Sequence, residues 1–257
     1  MRLNSYQLKW IAIVTMLIDH IGAVLLPEYI VLRYIGRISF PIFAFLIVNG
    51  FRHTHNLNKY LFRLAAFAVI SEIPYNLIWS GDIAYPNSQN VFVTLFLGLC
   101  CISLIDWLKN KHVLLCALPL IICCYAAFKL KCDYDFIGVL TVCAFYFFDI
   151  KNTKNRILLI FAMLFLASYD AVSFYAGQLF YDISGFDLRS VVYFRPFISE
   201  RPNFIQIFRI FGLVPIFLYS GKKGWQPKSR FGKIAFQYAF YLFYPAHLLL
   251  LYGINFI

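Results

Sequence analysis

The chain alternates long apolar runs with short charged breaks, and that alternation limits what it can fold into. Runs bounded by charged or turn residues cover 8–27, 36–51, 60–80, 90–108, 112–129, 134–150, 156–175, 205–220 and 233–254. A hydrocarbon layer about 30 Å thick takes about 20 helical residues to cross. Inside it every backbone N–H and C=O needs an internal partner, which helices supply. The pattern predicts an all-α fold: one polytopic integral membrane helical bundle of about nine transmembrane helices, a single domain over residues 1–257. Composition agrees, since only 14% of residues are charged while 61% are hydrophobic and 20% aromatic, against about a quarter charged in a soluble domain. The opening "MRLNSYQLKW" leads into the first run without a small-residue cleavage site, so that run reads as a retained span.

A formal net charge of +11 raises nucleic acid as a partner, but the basic residues stand where apolar runs end and form no stripe interleaved with stacking aromatics. Membrane topology explains them, with lipid as the surrounding partner and no nucleic acid expected. With the N-terminus inside, fifteen Lys and Arg residues fall on the inner side and seven on the outer, with Arg209 left within a span. That bias predicts a cytoplasmic N-terminus and a C-terminus outside. The seven cysteines fall between the fourth and sixth runs without a C-x-x-C pair, which reads as packing thiols and not as a metal site. No internal repeat argues for a transporter of duplicated halves.

Ionisable residues deep in a span mark where chemistry is concentrated. Asp19 and His20, in "MLIDHIGAVLLP", lie roughly 16–18 Å into the first run at 1.5 Å per residue. Neighbours on a helix point about 100° apart, so each of the two meets a different partner. The second run, "RYIGRISFPIFAFLIVNGFRHTHN", carries Arg33 and Arg37 at one end, Pro41 as an expected kink, and Asn49, Gly50 and Arg52 at the other. Arg52, Lys59 and Arg63, with His53 and His55, form an inner basic cluster that suits topology or phosphate binding. Glu72, Pro74 and Asn76 fall close together in the third run, and Gln237, Pro245 and His247 are the polar or helix-disturbing members of the last. The connection 176–204 reads as a plain outer loop or as a re-entrant segment against a substrate. No H-E-x-x-H, G-x-S-x-G or phosphate-binding glycine loop occurs. A buried packing network, a reaction centre, and a proton-coupled transporter with an Asp19–His20–Glu72 relay all fit these residues.

The blocks "KWIAIVTMLIDHIGAVLLP", "YIGRISFPIFAFLIVNGFRHTHN", "KYLFRLAAFAVISEIPYNL", "NVFVTLFLGL" and "FYLFYPAHLLLL" resemble the TraX family, named for the conjugal-transfer protein that acetylates the N-terminus of F-type pilin. Through Phe40, Pro41, Phe43 and Phe45 they also resemble, distantly, transmembrane acyltransferases such as the lysosomal heparan-α-glucosaminide acetyltransferase. The resemblance implies an acyltransferase in a bacterial cytoplasmic membrane. It would move an acetyl or short acyl group from acetyl-CoA, with no metal, to an amine or hydroxyl on a protein N-terminus, glycan or lipid of the cell envelope. It casts His20 as general base or transient acyl carrier, with Asp19 holding the imidazole or stabilising the imidazolium where a kink lets it reach, and otherwise pairing with Arg37. Arg52, Lys59 and Arg63 would meet the donor phosphates. Arg37, Asn49, Glu72, Asn76 and His247 would line the substrate, in a protein that acts alone or as a homodimer.

Overall fold

The computed structural model describes residues 2–85, 87–190 and 198–255, and these fold as helices joined by short turns. Asparagines start four of them. The Asn4 side chain accepts from the Gln7 N–H while Gln7 reaches back to the Asn4 N–H, a reciprocal cap that opens α1 (Ser5–Val24). Asn56 opens α4 (Leu57–Ser80), Asn90 opens α5 (Val91–Leu108) and Asn152 opens α8 (Thr153–Ser184), each by accepting a first-turn backbone N–H. At the far ends of α4 and α8, Gly81 and Gly185 take left-handed φ angles of 78° and 70°, where glycine carries no Cβ penalty.

The second apolar run is two helices, α2 (Ile30–Gly36) and α3 (Ser39–His53). The expected kink at Pro41 is instead a break at Arg37 and Ile38, and Pro41 sits in the first turn of α3, where its missing N–H is not needed. Next come α6 (Ala117–Lys129), α7 (Asp135–Phe147), a short α9 (Leu213–Phe217) and α10 (Arg230–Asn255). A 3-10 turn, Val113–Cys116, leads into α6, and a longer one, Phe204–Gly212, leads into α9. Among the described residues six stretches are long and apolar enough to cross a membrane: Ser5–Val24, Ile30–His53, Leu57–Ser80, Val91–Leu108, Thr153–Ser184 and Arg230–Asn255. The other three expected spans are the shorter apolar segments Val113–Lys129, Asp135–Phe147 and Phe204–Phe217. Helix α8 takes up the first part of the expected 176–204 loop, and residues 191–197 of that loop lie outside the described residues.

Contacts between turns sort the helix ends onto two faces. On one face the N-terminus pairs with the chain after α9, through the Leu3 N–H to Leu218 O at 2.8 Å and the Ser5 N–H to Lys222 O at 2.9 Å. On the other, Gln89 before α5 pairs with the turn before α7, where the Asp133 N–H donates to Gln89 O at 2.8 Å. Among the described residues all seven cysteines are free thiols.

Two glycines let α1 and α2 touch. A Cβ on Gly22 would come 2.6 Å from the Leu32 Cβ, and one on Gly36 would come 2.1 Å from the Asp19 Cβ. Neither contact can be relieved by a flexible side-chain tip. Gly36→Ala is expected to push Asp19 off its partners and destabilise the protein by about 1–3 kcal/mol, the usual cost of overpacking. A lowered thermal midpoint of the detergent-purified protein checks this.

Candidate functional site

Asp19 and His20 leave α1 toward different neighbours, as their angular separation requires. The Arg37 Nη2 donates to Asp19 Oδ2 at 2.5 Å. The Arg33 Nη1 donates to the Asp19 carbonyl at 3.0 Å and lies 3.2 Å from Oδ2. Asp19 is therefore a buried carboxylate between two guanidinium groups, and it does not hold the His20 imidazole. His247 does that, with its Nε2 2.7 Å from the Nδ1 of His20.

The protonation pattern follows from one fixed acceptor. The His247 Nδ1 lies 2.7 Å from the Phe243 carbonyl, which can only accept, so Nδ1 carries the hydrogen. In a neutral ring the His247 Nε2 is then bare and accepts from the His20 Nδ1–H. The remaining nitrogen of His20, Nε2, is left with a free lone pair and makes no hydrogen bond among the described residues. A proton taken there leaves an imidazolium whose other N–H is already bonded.

His20 lines a cavity of about 70 Å³ with Asp19, Arg33, Arg37, Tyr75 and Trp79. At about 30 Å³ per water, it holds two waters or a group of two or three heavy atoms. Asp133 and Tyr134, from the turn before α7, close its far side. Tyr134 stacks on Phe40 with ring centroids 3.7 Å apart. The Asp133 side chain faces cavity space while protein surrounds it. Burial pushes its carboxyl up to about 6, with Arg37 drawing it back down and Asp19 adding to the rise.

Two further cavities continue from this one toward the N-terminal face. The next encloses about 210 Å³ and shares Met16, Phe43, Val91 and Tyr244 with the His20 cavity; its walls are largely apolar, with Leu46, Ile47, Leu64 and Leu95. The third, about 280 Å³, shares Ser5, Lys9, Asn49, Gly50 and Tyr60 with the second and is rimmed by His53, Arg63, Lys223 and Trp225. The order is a basic mouth, an apolar passage and a polar end. Lys9 and His20 stand eleven residues apart on α1, about 16 Å along its axis.

The structure gathers some of the expected site residues and disperses others. Asp19, His20, Arg37 and His247 meet at the polar end. Asn49 lines the passage and the mouth, with its Nδ2 3.3 Å from the Tyr219 hydroxyl. Arg63 lines the mouth, its guanidinium 5.3 Å over the Tyr60 ring. Lys59 is exposed and lines none of these cavities, and Arg52 turns away. The Arg52 Nη2 donates to the Tyr146 carbonyl at 2.9 Å and the Phe145 carbonyl at 3.3 Å, capping the end of α7. Glu72 and Asn76 also stand outside the cavities. The Asn90 Nδ2 donates to Glu72 Oε2 at 2.5 Å and the Asn76 Nδ2 to the Ile83 carbonyl at 3.1 Å, tying α4 to the turn before α5. The Asp19–His20–Glu72 relay is thus not assembled, because Asp19 is ion-paired and Glu72 belongs to a helix cap.

Lys9, Tyr75, Trp79, Asp133 and Tyr134 are site residues that the sequence pattern did not single out. Lys9 reads as a topology charge. Tyr75 and Trp79 share one stripe of α4 with Glu72 and Asn76 at about 100° per residue, so a helical wheel does not separate the two sets, and which of them face the cavity depends on how α4 packs.

The fold and site define a class: a helical membrane protein with an ion-paired aspartate and a coupled histidine pair at the end of an internal passage. The chain belongs to the TraX family, whose profile, described as TraX protein, matches residues 4–191. It is 30% identical over 264 residues to the "Probable fimbrial assembly protein FimC, serogroup H1" of Dichelobacter nodosus, an alignment that covers 96% of this chain and 94% of the relative. It is also 33% identical over 101 residues to the "Uncharacterized protein RP591" of Rickettsia prowazekii (strain Madrid E), covering 38% of this chain and 37% of the relative. No solved structure matches the chain.

Proposed function

We propose that the protein is an acyltransferase of the bacterial cytoplasmic membrane that moves an acetyl group from coenzyme A to an acceptor in the cell envelope. The observation that carries this reading is the line of three cavities ending at His20. Its chemistry fits such a donor in order: cations and Trp225 for a phosphorylated nucleotide head, an apolar passage for a narrow arm, and a 70 Å³ end that favours a two-carbon acyl group over a longer one. Lys9, Arg63 and Lys223 would hold the phosphates in place of Arg52 and Lys59. The lysine and arginine bias supports a cytoplasmic mouth, on the side where such donors are found.

Bound there, the thioester supplies an activated acyl carbon with a thiolate leaving group. His20 acts as general base through its free Nε2. His247 keeps that nitrogen free and bears part of the charge once the proton has been taken. The Asp19–Arg33–Arg37 cluster fixes the wall opposite and presents guanidinium charge to the cavity, where negative charge on a carbonyl oxygen would be stabilised. The fimbrial name of the Dichelobacter relative favours a pilin-like subunit as the acceptor.

Membranes from cells that express the protein, given acetyl-CoA labelled in the acetyl group, are expected to pass label to an envelope component. Membranes lacking the protein should not. Equal labelling in both would defeat the proposal. Lys9→Ala and Arg63→Ala are each expected to raise the KM for acetyl-CoA about tenfold with kcat little changed, since one charge-assisted hydrogen bond contributes about 1.5 kcal/mol. Arg52→Ala and Lys59→Ala should leave that KM unchanged.

A further inference from the structure

A second chamber lies beyond Tyr134. It encloses about 260 Å³ between the start of α7, the far half of α8 and the Phe204–Gly212 turn, and it shares Asp133 and Tyr134 with the His20 cavity. Among the described residues, three carboxylates, Asp133, Asp135 and Asp170, line it together with one guanidinium, Arg209. Arg209 is only 7% exposed, and among the described residues it has no ion pair within 4 Å. Its Nε is buried without a hydrogen-bond partner, as is the Oε1 of Gln206 in the same wall. Its Cζ lies 4.9 Å over the Tyr134 ring. A buried polar group left unpaired costs about 1–3 kcal/mol, a cost that a ligand in the chamber would remove. The turn that separates the chambers is strained at both ends, with left-handed φ values of 53° at Lys131 and 47° at Asp135. Non-glycine residues hold such angles at a cost, often beside functional sites.

We propose that this chamber receives the second substrate of the transfer from the face opposite the basic mouth. It would take a positively charged amino group against its carboxylates and an adjacent oxygen against Arg209. The inference rests on the acyl-transfer reading and adds where the acceptor enters. Asp133, open to both chambers, takes the first proton and turns ammonium into free amine. As the nitrogen attacks the acyl carbon, the N–C bond forms, the C–S bond breaks, and the second proton goes to the His20 Nε2. From there it passes to the departing thiolate, while Asp133 releases its proton to water.

Ser199 and Gln206 line the chamber, so Ser199→Cys and Gln206→Cys report on it, with the wild type as background for the native thiols. Membrane-impermeant methanethiosulfonates, one cationic and one anionic, are applied to sealed vesicles of either orientation. The cationic reagent should react at least about tenfold faster, as expected where local charge concentrates a counter-ion. It should do so only from the face opposite Lys9 and Lys223, and Asp170→Asn should shrink the preference. Modification should stop transfer while acetyl-CoA still binds. An equal or reversed charge preference, labelling from the basic face, or unchanged transfer after modification would overturn the inference. If wild-type protein binds no acetyl-CoA, the acyl-transfer reading fails, whereas charge preference and sidedness still decide the chamber.

Discussion

His20→Ala is expected to lower kcat/KM for acetyl transfer by at least about 10²-fold, the lower end of what general base catalysis contributes, while acetyl-CoA binding and the thermal midpoint stay near wild type. The effect is large because the other bases at this cavity are engaged: Asp19 is held by Arg33 and Arg37, the Nε2 of His247 already faces His20, and Asp133 is taken up by the first proton of the incoming ammonium, which leaves the second to His20. His247 acts through His20 as a positioning residue. Its replacement by alanine leaves the His20 Nδ1 without an acceptor, so the ring is free to place its hydrogen on Nε2 and lose the lone pair. His247→Ala should therefore reduce kcat with KM nearly unchanged and alter the acid limb of the pH–rate profile. His247→Gln, which restores a hydrogen-bond acceptor, should recover part of the rate. A purely packing role for His247 would lower stability without moving the pH profile.

Asp19→Asn is expected to destabilise the protein by about 3–5 kcal/mol, the cost of removing one partner of a buried ion pair. Asparagine keeps the volume, so the loss reports charge: Arg37 is 8% exposed and would be left as an uncompensated cation. Pairing Asp19→Asn with Arg37→Met should recover much of the loss, because the buried charge goes with its partner. Thermal unfolding of the three variants in detergent, read with the wild type as a double-mutant cycle, measures the coupling. An Asp19→Asn variant as stable as wild type would mean that the pair is solvated and contributes little.

The helical bundle was readable because apolar length and charged breaks are local properties, and the depth of Asp19 and His20 followed from rise per residue alone. Partner choice was not readable in the same way. His20 and His247 are 227 residues apart in sequence, and nothing in either helix states that they meet. Angular separation predicted that Asp19 and His20 would have different partners and left Arg37 as one alternative for Asp19, the pair that the structure shows, but the partner of His20 depends on the packing of α1 against α10. Arg52 and Glu72 had the right residue type for a site, yet they are engaged elsewhere, Arg52 by the end of α7 and Glu72, through Oε2, by the Asn90 cap of α5. Conversely, Lys9 looked like an ordinary topology charge until α3, α4 and α10 closed a passage beside it. Asp133 stood out least, because its turn is short and its two cavities are bounded by residues scattered along the chain from Met16 to Tyr244.

Whether an acyl thioester occupies the passage to His20 is read most directly by native mass spectrometry of the detergent-purified protein with acetyl-CoA. One bound thioester per chain is expected, retained in His20→Ala and lost when Lys9 and Arg63 are both changed to glutamate. A folded wild-type protein that binds none, or a charge-reversed variant that binds as well as wild type, would contradict the account.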